Sequence, residues 1–289
     1  MKPALFDYVA PRRIEDALEI LATDEMARPL AGGQSLIPTM NFRIAAPSRL
    51  VDLARIDALK GLAIEGDVIR VGAMTRQRDL EQAAEVRRAN PLVAEVLGNV
   101  AHIVIRNRGT VGGSIAHADA AAELPCMLLA TGGSVVARSA RGERTIAADD
   151  LFLFHMTTAL DAGELLTEVR IPALPSSSGF AFQEVARRHG DYALAGVCAL
   201  VTLKDGLCTA VRLAACGVAS KPTRLTEAES VLLGRPPDED ALAAAAEAAR
   251  THSTSGNDRQ ASADYRKDLV AALVRRTVTK AADRAREQA

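Results

Sequence analysis

Gly109-Thr110-Val111-Gly112-Gly113-Ser114, taken together with Ala31-Gly32-Gly33-Gln34-Ser35-Leu36, decides how this chain is read. Each segment pairs small residues with a hydroxyl, and each abuts an apolar stretch. Glycine lets the backbone come close to a ligand and adopt positive φ. Backbone N–H groups exposed in such turns form concave anion sites. Two such loops in one chain suggest one extended phosphate-bearing ligand held from two sides. Neither segment matches the dinucleotide fingerprint G-x-G-x-x-G, and no G-K-S/T marks a P-loop. A nucleotide bound here would be held by another route.

Bulk properties narrow the classes. The 289 residues suit one large or two medium domains. Hydrophobic residues make up 48%, aromatics only 3%, and Trp is absent, so Ala, Leu, Val and Ile must build the core. The net charge is −1 with both signs mixed, and no Lys/Arg cluster reads as a nucleic-acid footprint. No apolar run approaches the roughly 20 residues that span a bilayer. Met1-Lys2-Pro3-Ala4-Leu5-Phe6-Asp7 does not read as a signal peptide, and a cytoplasmic location is expected. Cys126, Cys198, Cys208 and Cys216 form no C-x-x-C pair. They are expected to be buried small hydrophobes, with no metal or iron–sulfur site in this chain.

The apolar spacing Ile14-Ala17-Leu18-Leu21 predicts a helix behind Pro11. Strands are expected at Arg28–Ala31, Leu50–Leu53 and Asp67–Gly72. Thr75 to Glu85 is predicted helical with Thr75 as N-cap, and Pro91 to Val100 forms a second helix. Ala120 to Ala130 is an apolar helical stretch. Gly133–Arg138 and Gly142–Ile146 suggest a hairpin, and Leu165–Ile171 a strand ended by Pro172. Pro172-Ala173-Leu174-Pro175-Ser176-Ser177-Ser178-Gly179 looks like a domain boundary. Three strands are then predicted, Phe180–Arg187, Ala193–Lys204 and Cys208–Val218, with Asp205-Gly206 as a tight hairpin turn. Helices follow at Thr226–Leu233, Asp238–Arg250 and Tyr265–Ala285. The class is α+β: a mixed N-terminal domain, then a sheet with a helical layer.

Each candidate site residue has a plain structural reading beside the functional one. The two glycine segments could be ordinary turns. His117 and Asp119 could face a phosphate or ribose, or simply pack. Glu123 lies four residues past Asp119, on one face if the stretch is helical, and the pair could accept ribose hydroxyls. Acids at a helix N-terminus are also favoured by its dipole. Ser35 and His117 are not read as a hydrolase pair, because G-x-S-x-G is absent. Arg187-Arg188-His189-Gly190-Asp191-Tyr192 is a polar knot between strands. Tyr192 could pack against a flat ligand.

The flanks make the sequence recognisable. Ala31-Gly32-Gly33-Gln34-Ser35-Leu36-Ile37-Pro38 continues through Met40, Arg43 and Pro47 to Leu50-Val51-Asp52-Leu53. Ile105-Arg106-Asn107-Arg108 leads the second segment, which runs on through Ile115-Ala116-His117-Ala118-Asp119 to Ala122-Glu123-Leu124-Pro125. This closely resembles the FAD-binding medium subunit of the molybdenum hydroxylases, the xanthine and carbon-monoxide dehydrogenase family. Gly163–Val169, Ala186–Ala193 and Tyr265–Leu269 fit as well, so the resemblance spans nearly the whole chain.

The resemblance implies a fold like that of p-cresol methylhydroxylase and vanillyl-alcohol oxidase. An FAD-binding domain over residues 1–175 would divide into subdomains at about 1–55 and 56–175. A C-terminal domain, 176–289, would carry a three-stranded antiparallel sheet and a helical bundle. Ala31 to Ile37 and Thr110, Val111, Gly112, Gly113 and Ser114 would wrap the pyrophosphate and part of the flavin chain. Val100 would pack near the cofactor, Glu123 would contact the adenosine portion, and Leu166 would lie by the isoalloxazine. Gln183 aligns where some xanthine dehydrogenases have Lys near the flavin, and Tyr192 resembles an aromatic that approaches the ring.

The implied function is electron exit, with no catalytic acid or base in this chain. Substrate would be oxidised at a molybdenum cofactor in a large subunit, and electrons would pass through 2Fe-2S clusters in a small subunit. FAD here would deliver them to an external acceptor, in a heterohexamer that is a dimer of heterotrimers. The alternatives are a self-contained flavin oxidase or dehydrogenase, and a non-catalytic nucleotide-binding scaffold.

Overall fold

The computed structural model describes residues 1–288. It opens on a three-stranded sheet of order β1-β3-β2, with β1 at Asp7–Val9, β2 at Ala27–Leu30 and β3 at Arg49–Asp52. Both pairings are parallel. Helix α1 (Ile14–Thr23) buries Ile14, Ala17, Leu18 and Leu21, the stripe its spacing predicts. The short helix α2 (Leu36–Asn41) follows the first glycine segment.

A five-stranded antiparallel sheet comes next, in the order β4-β5-β10-β6-β7. Its strands are β4 (Leu62–Glu65), β5 (Val68–Gly72), β6 (Ser134–Ser139), β7 (Gly142–Ala147) and β10 (Leu165–Pro172), while β8 (Phe152–Phe154) and β9 (Thr157–Thr158) pair apart. Between β5 and β6 run α3 (Gln77–Gln82), α4 (Ala84–Ala89), α5 (Leu92–Leu97), α6 (Ile103–Arg106), α7 (Val111–His117) and α8 (Glu123–Thr131); α9 (Ala148–Leu151) follows β7. Every residue of α8 is buried. It lies between this sheet and the C-terminal one, so it has no face left for water.

The C-terminal sheet has the order β11-β12-β13-β14, with strands Ser178–Val185, Ala195–Lys204, Leu207–Cys216 and Thr223–Arg224, all pairings antiparallel. Helices α10 (Thr226–Leu232), α11 (Glu239–His252) and α12 (Ala263–Glu287) cover one face. Gly179 is the closest crossing: a Cβ built there would fall 1.7 Å from the Ala281 carbonyl oxygen of α12. The other face of the sheet sends Phe180, Phe182, Cys198, Ala214 and Cys216 into the core shared with α8 and the five-stranded sheet. The four cysteines are free and buried, as expected.

The mixed α+β class is borne out, with local corrections. The C-terminal sheet gains a fourth strand of two residues. The helix predicted from Thr75 breaks into α3 and α4 at Ala83, whose ψ of 114° is extended. Thr75 is not its N-cap, because its hydroxyl bonds the Gly61 carbonyl oxygen at 2.9 Å. The helix predicted from Ala120 starts only at Glu123. Asp205 and Gly206 form the expected turn, with φ of 52° and 78°.

Candidate functional site

The two glycine segments converge on one cavity of about 530 Å³. They touch through their backbones. A Cβ on Gly32 would lie 2.5 Å from the Arg108 carbonyl oxygen and 2.9 Å from the Gly109 Cα. Gly32 therefore lets the first segment approach the second.

The first segment leaves β2 and turns at Gly33, with a φ of 73°. Among the described residues, no acceptor takes the N–H groups of Gly32, Gly33, Gln34 or Ser35. All of these residues line the cavity. Successive free N–H groups in one turn form an anion-binding concavity.

The second segment behaves differently from the loop expected of it. It is the first turn of α7, capped by Thr110, whose hydroxyl accepts from the Gly113 N–H at 3.1 Å. Val111 donates to the Thr75 carbonyl at 3.0 Å, Gly112 to Ala73 at 2.9 Å and Ser114 to Thr110 at 3.1 Å. Its donors are consumed within the protein. Its glycines serve close packing instead: a Cβ on Gly112 would fall 2.5 Å from the Ala73 Cβ, and one on Gly113 would fall 2.6 Å from the Thr110 hydroxyl. Gly113 and Ser114 still line the cavity.

Of the other expected residues, Ala31, Leu36, Val100, His117, Asp119, Glu123, Leu166 and Tyr192 line the cavity with Thr110 and Gly112. Burial pushes the His117 imidazole down, and the nearby Asp119 charge only partly opposes this. Burial pushes the Glu123 carboxyl up to about 7, with the Asp119 charge adding to it. Asp119 does not share a helix face with Glu123, since it precedes α8 and its carboxylate accepts the Ala121 N–H at 2.9 Å. Tyr192 stands at the mouth with 55% of its surface exposed.

Three expected residues do not line the cavity. Ile37 sits in α2, where its N–H closes onto the Gly33 carbonyl. Val111 is 1% exposed and packs into the shared core. Gln183 lies on β11, where side chains alternate between faces, so it falls on the side opposite Phe182. Its neighbour Glu184 takes the Phe182 side instead. Burial and the Glu123 charge push the Glu184 carboxyl up to about 8.

Gln77 escaped sequence reasoning altogether. It is 5% exposed, it lines the cavity, and its side-chain Oε1 is buried with no hydrogen-bond partner among the described residues. A lone Gln at the start of a polar helix carries no local signal of burial. Ala101 was missed as well; it lines the cavity with a left-handed φ of 44°.

Comparison with known proteins gives a consistent result. Residues 4–174 match the model of the FAD binding domain in molybdopterin dehydrogenase, and residues 180–281 match that of the CO dehydrogenase flavoprotein C-terminal domain. The chain is 43% identical to the 6-hydroxypseudooxynicotine dehydrogenase complex subunit alpha of Paenarthrobacter nicotinovorans, over 99% of this chain and 97% of the relative. It is 42% identical to the nicotine 6-hydroxylase medium subunit of the same organism, over 98% and 100%. A structure of carbon monoxide dehydrogenase from Hydrogenophaga pseudoflava superposes with a TM-score of 0.96 at 35% identity, covering 98% of this chain and 99% of that one.

Proposed function

We propose, from the premise that this chain belongs to the FAD-binding medium subunits of the molybdenum hydroxylase and carbon monoxide dehydrogenase family, that it is the electron-exit subunit of such an oxidoreductase. The observation that carries this reading is the row of free N–H groups from Gly32 to Ser35 along the cavity wall. The residues present fit FAD. The first segment offers donors to a pyrophosphate, the unpartnered Gln77 amide offers a polar contact, and Glu123 can meet hydroxyl or amino donors. Bound FAD supplies the redox chemistry, taking up electrons and giving them up again.

The protein's own residues bind, orient and enclose. Gly32, Gly33, Gln34 and Ser35 hold the phosphates. Val100 and Leu166, 8% and 4% exposed, form apolar wall. Tyr192 covers the mouth. His117, whose protonation burial disfavours, can donate or accept at a ribose.

The same reading places a molybdenum cofactor in a large subunit and 2Fe-2S clusters in a small one, assembled as a dimer of heterotrimers in the cytoplasm. It also divides the chain near residues 55 and 175. Among the described residues no helix is long and apolar enough to cross a membrane.

The test is direct. The purified chain should show a flavin spectrum near one FAD per chain, and co-expression with candidate small and large subunits should give a complex. The isolated chain should oxidise no organic substrate. A colourless chain that takes up no FAD, or organic turnover by the chain with FAD alone, would sink the reading.

A further inference from the structure

Ala101 occupies a conformation that glycine adopts freely and residues with a Cβ do not, at a φ of 44°. Something outside the residue must hold it there. Arg106 of α6 supplies the contacts. It is 8% exposed, and its Nη1 donates to the Val100 carbonyl at 2.7 Å and to the Ala101 carbonyl at 3.0 Å. Its Nε and Nη2 donate to the Glu81 carboxylate at 2.9 and 3.3 Å. Glu81 is itself 9% exposed and is anchored on α3, where Arg78 also pairs with it at 2.9 Å. One planar guanidinium thus ties the Val100–Ala101 turn to a helix that the chain has already laid down.

The turn matters because it builds the wall and also seats a neighbour. Val100 and Ala101 line the cavity. The turn also packs against Gly190, which lines the same cavity and whose own φ is 87°. A Cβ on Gly190 would fall 2.7 Å from the His102 ring and 3.2 Å from the Ala101 carbonyl carbon. Two residues later comes Tyr192 at the cavity mouth. A contact path runs from the buried Glu81–Arg106 pair, through the Ala101 backbone, to the segment that carries the aromatic.

We propose that Arg106 is a positioning residue for the cavity: its clamp on the Val100 and Ala101 carbonyls holds Ala101 left-handed, fixing one cavity wall and the seat of Gly190. Lysine cannot replace it. An ammonium is a compact point of charge and lacks the fork that serves a carboxylate and two carbonyls at once. The inference rests on the FAD-binding reading for its functional consequence, but the clamp itself is independent of any ligand.

The experiment is a double-mutant cycle on the full chain with Arg106→Lys and Ala101→Gly. FAD affinity is read by flavin fluorescence. Amide hydrogen exchange at Val100, which donates to the Leu97 carbonyl at 3.2 Å, is read in flavin-free protein. Glycine needs no clamp to adopt positive φ, so the two substitutions must couple. Arg106→Lys is expected to weaken FAD binding about tenfold alone, but less than about threefold in the Ala101→Gly background. Val100 exchange should accelerate in the first case and much less in the second. An equal penalty in both backgrounds, or no penalty in either readout, overturns the proposal. Exchange that couples as expected in a chain that binds no FAD would uphold the clamp while the FAD reading alone failed.

Discussion

Glu95 on α5 reaches Arg284 near the end of α12, with the carboxylate Oε2 accepting from Nη1 at 2.7 Å. The same Arg284 nitrogen donates to the Phe180 carbonyl at 2.7 Å, and the guanidinium sits 4.3 Å from the centre of the Phe180 ring. The other Glu95 oxygen accepts from the Phe182 N–H at 3.0 Å and from Lys280 at 3.1 Å. One carboxylate therefore ties a helix of the FAD-binding part to both the first strand and the last helix of the C-terminal part.

Burial alone would raise the Glu95 pKa, but the Phe182 N–H, Arg284 and Lys280 outweigh it and hold the carboxyl below its ordinary value. A depressed folded pKa gives stability that is present above the unfolded value and lost as pH falls through the folded one. Glu95→Gln should cost about 1–2 kcal/mol at pH 7, the modest range for a pair that solvent partly screens. Urea midpoints from pH 7 down to pH 3 should show parent and variant converging at the acid end. A gap that stays constant across that range would contradict the assignment.

Gly32→Ala would force the Arg108 carbonyl to move, because backbone cannot yield as a flexible side chain can. The variant should fold and lose flavin, with affinity down more than about tenfold, or about 1.4 kcal/mol. Gly113→Val should do the same by displacing the Thr110 cap. Circular dichroism and flavin content measured on each variant check this. Full flavin content with unchanged affinity would move the phosphate site elsewhere.

Gln77→Leu separates a ligand contact from a packing role by sign. The unpartnered buried amide is a cost to the flavin-free chain, so the variant should be equally stable or more so without flavin. FAD affinity should fall by roughly 0.5–1.5 kcal/mol, the range for one neutral hydrogen bond. Melting and FAD titration read the two effects separately. A loss of stability with no change in affinity would mean that Gln77 only packs against Gly109.

Tyr192→Ala should shift the flavin reduction potential or the rate of reoxidation by oxygen, while changing FAD affinity much less than Gly32→Ala does. A phenol ring can cover a flat cofactor while its hydroxyl stays wet, and Tyr192 stands half exposed at the mouth. Potentiometry and stopped-flow reoxidation are the measurements. Parental values in both would reduce Tyr192 to a turn residue.

Much of the architecture is local and so was open to reading from the residues. The Ile14-Ala17-Leu18-Leu21 stripe makes α1, Asp205-Gly206 makes the β12–β13 turn, and the strands around both fall within a few residues of expectation. Periodicity and turn chemistry act over a handful of neighbours, and a single sequence carries them. Both glycine segments line the one cavity, and close backbone approach needs glycine wherever it occurs.

From the residues themselves comes an α+β chain of the FAD-binding medium-subunit type, with two glycine segments that line one cavity. Long-range packing sets which of those segments keeps its N–H groups free. The donors of Val111 and Gly112 are taken by Thr75 and Ala73, carbonyls that lie far back in the chain. It also decided that Gln77 is buried without a partner, that Glu184 rather than Gln183 turns toward the shared core, and that Arg106 holds Ala101. The reason is the same each time. Whether a donor is satisfied, a strand face is covered or a left-handed residue is held depends on atoms brought in by folding, and no local pattern encodes them.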